Sequence, residues 1–170
     1  GSGSGIGQAA ALEFAHYGAN VVVADISAAA AEETVSAILA HGGSALAVPV
    51  DVSKSSQVDA LVQTADAHGM QVAVHAIGDR GIEMVLNAYD TVVHKGKNNL
   101  RHGIVHCQIT DLPLLERFQK NDIIAYIQPI FLHYDLHIVE DRVGKELAST
   151  SYAFRTMEKL GIHTCFGTDS

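Results

Sequence analysis

QVAVHAIGD (71–79), HGIVHCQ (102–108) and CFGTDS (165–170) decide the reading of this chain. Each is a short apolar, β-like run, and His75, His106 and Asp169 sit at or near its C-terminal end. Apolar runs of this length between helical segments read as buried strands of a parallel sheet. The C-terminal edge of such a sheet opens onto the loops that carry chemistry. Two imidazoles and a carboxylate form a workable ligand set for a catalytic zinc. A single histidine often fills a half-buried core position instead. Three strand ends finishing alike favour a site.

Outward from these runs the alternation continues. A glycine-rich start leads into a helix from Ile6 to Tyr17, and NVVVADI (20–26) is the next strand. It is too apolar for a sheet wetted on one face. Ser27 can cap the Ala-rich helix that follows, which stops at Gly42 and Gly43. SALAVPVDV (44–52) is a strand, and Ser53 can cap a helix running to His68. Asp79 can cap a helix through Val93, and Leu114–Lys120 is a short helix. IIAYIQPIF (123–131) is a strand, followed by a long irregular connection and a helix from Thr150 to Leu160. The fold class is therefore α/β: about six mainly parallel strands alternating with helices, with right-handed crossovers.

Composition changes near His68. Residues 1–68 hold 17 alanines and one basic residue, whereas residues 69–170 hold six alanines and ten basic residues. This contrast suggests two pieces of different ancestry, 1–68 and 69–170, joined around Ala67 to Met70. The net charge of −8 argues against a nucleic-acid or anionic-membrane partner, because phosphate binding needs a positive field. The apolar stretches are too short to span a bilayer, and no export signal is visible. The two cysteines, Cys107 and Cys165, form no framework, so a reducing cytoplasm is the expected compartment.

The first part resembles the short-chain dehydrogenase/reductase family. Gly1, Gly5 and Gly7, with Ile6 between them, stand in a G-x-x-x-G-x-G pattern. Asp25 ends the following strand, and Asp51 with Val52 stands where the family contacts adenine. The resemblance implies a Rossmann-like fragment in which glycines approach a pyrophosphate and Asp25 takes the ribose hydroxyls of NAD. The strand before the first glycine and the family's Tyr-x-x-x-Lys pair are absent, so NAD binding is expected to be weak at best.

The second part resembles the amidohydrolase superfamily, in the branch with the N-substituted formamide deformylases. The matching text is VHAIGDRGIEMVLNAYD, LRHGIVHCQ, IQPIF and RVGKELASTSYAFRTMEKLGIHTCFGTDS. These segments look like the fifth to eighth strands of a (β/α)₈ barrel, half of a TIM-type barrel. By resemblance His75 and His106 are metal ligands, and Asp169 is the catalytic carboxylate that binds metal and orients the attacking water. The family's His-x-His pair and bridging residue are missing, so zinc binding is expected to be weak. His102, His133, His137 and His163 read as surface or loop histidines.

Both resemblances are cut at their outer ends. The reading favoured by the sequence is a chimera, engineered rather than natural, with incomplete sites and no efficient turnover. A metal-dependent hydrolase of non-peptide C–N bonds is the alternative, and an NAD-binding module or oxidoreductase remnant is a third. Exposed sheet edges pair, so self-association, most simply a dimer, is expected. A clean monomer by light scattering would count against it.

Overall fold

The structure is a computed structural model and describes residues 1–169. The chain divides into two compact units, Gly1–Met70 and the chain from Gln71 onward.

In the first unit the elements run α1 (Gly5–His16), β1 (Asn20–Asp25), α2 (Ala28–Ala40), β2 (Ser44–Pro49) and α3 (Ser55–Ala67). β1 and β2 pair in parallel, from Asn20 opposite Ser44 to Asp25 opposite Pro49. Alternation along the strands sets Val21, Val23, Ala45 and Ala47 on one face. There they pack with Ala11, Ala15, Ala31 and Ile38 of α1 and α2. Small alanines let the helices lie close to a sheet of only two strands. Val22, Ala24, Leu46 and Val48 alternate onto the other face and are only half-buried. The expectation of strands buried on both faces is not met: Val21, Ala45 and Ala47 on the helix-covered face are also half-buried, and of the apolar residues of β1 and β2 Val23 alone is fully buried. Ser27 caps α2 as expected, its Oγ accepting from Ala30 N–H at 3.3 Å. Ser53 does not cap α3. Its N–H and Oγ–H both donate to Asp51 Oδ1, at 3.0 and 2.7 Å, and Lys54 takes the cap position. The Ser53 hydroxyl is turned toward Asp51 as a donor, and among the described residues no side chain accepts from the first N–H groups of α3.

In the second unit the order is β3 (Ala73–Ala76), α4 (Asp79–Asp90), β4 (Gly103–His106), α5 (Leu112–Lys120), β5 (Ile124–Ile127), α6 (Ile130–Asp135), α7 (Val139–Ala148), α8 (Phe154–Leu160) and β6 (Thr164–Phe166). All four strands are parallel and lie in sequence order, β3-β4-β5-β6. Residues read as a long irregular connection fold instead into α6 and α7. The IIAYIQPIF strand stops at Ile127, and its tail enters α6. The helix expected from Thr150 begins only at Phe154. Asp79 is the first residue of α4 and Gly78 its cap, one position from the expected boundary. α5 is capped by Asp111, whose Oδ1 accepts from Leu114 N–H at 2.9 Å, and carries proline in its first turn. Its buried face is Leu114, Leu115 and Phe118.

The N-terminal end of this sheet is closed by a polar network. Tyr89 of α4 is fully buried, and its hydroxyl is shared between the carbonyls of Gly103 (2.7 Å) and Val72 (3.0 Å). Burial holds its phenol far above the ordinary tyrosine range, so it stays a donor. His102 corrects the sequence reading: it is 1% exposed, not a surface histidine. Its ring stacks on Tyr89 at 5.3 Å and accepts from Val72 N–H through Nδ1 at 3.0 Å. No helix among the described residues is long and apolar enough to cross a membrane.

Candidate functional site

In the second unit the strand ends bring two of the three expected metal ligands together. His75 is the last residue but one of β3 and His106 ends β4, on neighbouring parallel strands. Their rings meet edge to face with centroids 4.5 Å apart. Alternation alone would not allow this. His75 lies level with Val105, so His106 belongs to the opposite face. The backbone resolves the conflict: His106 has φ 81° and Cys107 φ 52°, both in the left-handed region that side chains rarely occupy. This turn breaks the strand geometry at the residue that reaches His75. Such conformations cost about 1–3 kcal/mol each and gather at functional sites. The fully buried Cys107 braces the turn, its N–H donating to Ala76 O at 3.2 Å. Burial pushes its thiol well above the usual range, so it is an inert core group.

His106 is buried, whereas His75 is exposed. Nδ1 of His106 lies 2.9 Å from Oε1 of Gln128, just beyond the end of β5, and Phe131 flanks the ring at 6.1 Å. Sequence reasoning missed Gln128. Its signal was present, because IAYIQ is a third apolar run ending in a polar group at the same sheet edge. Asp169 is exposed beyond β6, with φ 64°. It does not join the two imidazoles: among the described residues no group of three or more His, Cys, Asp or Glu is placed to hold a metal ion.

The expected nucleotide residues occupy the C-terminal edge of β1 and β2. Ser2 N–H donates to Ala24 O at 2.8 Å, which lays the glycine-rich start against the end of β1. Gly3 and Ser27 N–H groups donate to the two oxygens of Asp25, at 2.9 and 3.0 Å, and hold its carboxyl below the usual range. Gly7 passes Gly1 so closely that a Cβ would lie 2.0 Å from the Gly1 carbonyl oxygen. Gly5 and Ile6 are exposed at the start of α1. Asp51 is turned toward Ser53, whose hydroxyl lowers its carboxyl as well, and Val52 is exposed. The structure thus gathers Gly1, Gly7 and Asp25 into one loop, already hydrogen-bonded to itself.

The fold and site define an α/β class: one unit with a parallel sheet carrying paired histidines at adjacent strand ends, and one glycine-rich βα unit. Residues 10–170 match the model of the Amidohydrolase family, and the chain belongs to that family. YtcJ of Bacillus subtilis (strain 168), an amidohydrolase by its name, is 37% identical over 121 residues, 71% of this chain. The alignment takes in 22% of YtcJ, so the chain spans about a fifth of that relative. Among solved structures, an uncharacterized metal-dependent hydrolase from Pyrococcus furiosus is 28% identical with a TM-score of 0.59, covering 69% of this chain and 23% of that one. Short-chain dehydrogenase character stands beside it. YusS of Bacillus subtilis (strain 168), a short-chain dehydrogenase/reductase homolog, is 46% identical over 71 residues, 41% of this chain and 65% of YusS.

Proposed function

We propose that the second unit is the metal-binding part of an amidohydrolase acting on non-peptide C–N bonds, and that this chain alone turns over inefficiently. His75 and His106 are the ligands; Asp169, the carboxylate implied by the resemblance, does not reach them in this structure and is given no role at the metal. The meeting of the two imidazoles at adjacent strand ends, 4.5 Å apart, carries this reading. Neutral imidazoles suit zinc, and Gln128, beside Nδ1 of His106, leaves the other nitrogen of that ring for a metal. A bound zinc polarises a carbonyl and acidifies its water. The residues supply the rest: His106 is held rigid by burial, and His75 stays accessible to solvent. Two converging donors fall short of the three protein ligands of an ordinary catalytic zinc site, which is why binding is read as weak.

The first unit supports little NAD binding in this reading. Asp25 is 8% exposed and each of its oxygens already accepts a backbone N–H, which leaves little of the carboxylate open to ribose hydroxyls. The likeness to two families, with the change in composition near residue 68, supports a chimeric origin.

Zinc content of protein purified without chelator tests the proposal. Substoichiometric zinc is expected in the parent chain, with near-complete loss in His75→Ala/His106→Ala. Equal uptake by the two would place the metal on other residues and overturn the assignment.

A further inference from the structure

Gln128 is a buried amide at the C-terminal edge of the sheet, beside a candidate metal ligand. An amide can present oxygen or nitrogen, and only its hydrogen bonds tell which. Here both ends are engaged. Nε2 of Gln128 lies 3.4 Å from the Tyr126 carbonyl, which can only accept. The –NH₂ group therefore faces Tyr126, and Oε1 faces His106. Oε1 in turn can only accept, so the proton on this side of the ring belongs to Nδ1.

We propose that Gln128 is a positioning residue that holds His106 in its Nδ1–H tautomer and leaves Nε2 as the ring's only lone pair. Both side chains are more than nine-tenths buried, with 6% of His106 and 7% of Gln128 exposed. Water is therefore a poor substitute for either partner. A ring lacking this acceptor is free to move its proton to Nε2, and Nε2–H cannot bind a metal. The consequence for metal rests on the ligand assignment made above; the tautomer itself does not.

The test uses the full chain in two measurements. The first is ¹⁵N NMR of the imidazoles in metal-free protein, at a pH well above the reference imidazole pKa of about 6.5. Wild type is expected to show His106 as Nδ1–H. Gln128→Met, similar in volume but with no amide acceptor, is expected to shift it toward Nε2–H. Gln128→Glu, whose carboxylate also accepts, is expected to restore Nδ1–H. An Nε2–H ring in the wild type overturns the proposal outright, even if a variant fails to fold. So does a tautomer unchanged in folded Gln128→Met.

The second measurement is zinc affinity, with zinc alone as the probe. Losing a partner of a metal ligand costs about 10–100-fold, so that weakening is expected in Gln128→Met, with recovery in Gln128→Glu. If His106→Ala takes up zinc as well as wild type while the NMR pattern holds, the ligand assignment fails and the tautomer role stands.

Discussion

Gly103→Val is expected to abolish the cooperative unfolding transition of the second unit, read by circular dichroism in urea. Gly103 opens β4 and lies between Ala73 of β3 and Ile124 of β5. A Cβ there would fall 2.5 Å from Cε2 of Tyr126 and 2.7 Å from the Ile124 carbonyl oxygen. The ring could swing away, but the carbonyl belongs to the backbone of the neighbouring strand. Relief then requires the strands to part, where the Gly103 carbonyl also receives the Tyr89 hydroxyl. Overpacking a well-filled core costs about 1–3 kcal/mol even where side chains give way. Here the obstacle is main chain, so alanine falls at the top of that range and valine beyond it. The whole stability of a domain is about 5–15 kcal/mol. An unchanged urea midpoint for Gly103→Ala would show that the strands accommodate the methyl group.

Phe118→Ala carries the second large effect. Phe118 is fully buried on α5, beside Leu114 and Leu115, and its carbonyl accepts from Ile123 N–H at 2.9 Å as the chain turns into β5. Truncating a buried phenylalanine costs about 3–5 kcal/mol, part lost transfer energy and part cavity. Phe166 on β6 is 72% exposed and serves as the internal comparison. Phe166→Ala is expected to stay within about 0.5 kcal/mol. The measurement is the urea midpoint at constant slope. Equal shifts for the two substitutions would mean that the buried face of α5 is not the core it forms in the structure.

The β-forming runs were legible because apolar segments between helical stretches have few alternatives. His75 and His106 were legible for the same reason: each closes such a run. Their meeting was expected from the resemblance, as two ligands of one metal, but the route to it was not legible. Alternation sends them to opposite faces, and only the left-handed turn at His106 overrides it. No residue at that turn announces it, since His and Cys are not turn formers. Gln128 escaped because its role depends on a partner 22 residues away. His102 reads as a surface histidine because nothing local marks its burial; the ring of Tyr89, from α4, stacks on it. α6 and α7 escaped despite a signal. Leu132, Leu136, Val139, Val143 and Leu147 recur at helical spacing through HYDLHIVEDRVGKELA and its flanks. The glycine at 144, with φ 78°, breaks the regularity inside α7. The misplaced caps at Ser53 and Asp79 reflect how finely backbone angles select one residue of several polar candidates.

The plain sequence order of the second sheet sets how it can be assembled. β3 meets β4, β4 meets β5, and β5 meets β6, so each new strand finds its only earlier neighbour already made. No strand has to be threaded between two that are paired. The sheet can grow from a single edge, in the direction of synthesis: β4 closes onto β3 across α4, β5 onto β4 across α5, and β6 onto β5 across α6, α7 and α8. The two shorter closures carry the smaller entropic barrier to folding. The turn at His106 is therefore reached with β3 and His75 already in the chain, before Gln128 arrives to fix the ring.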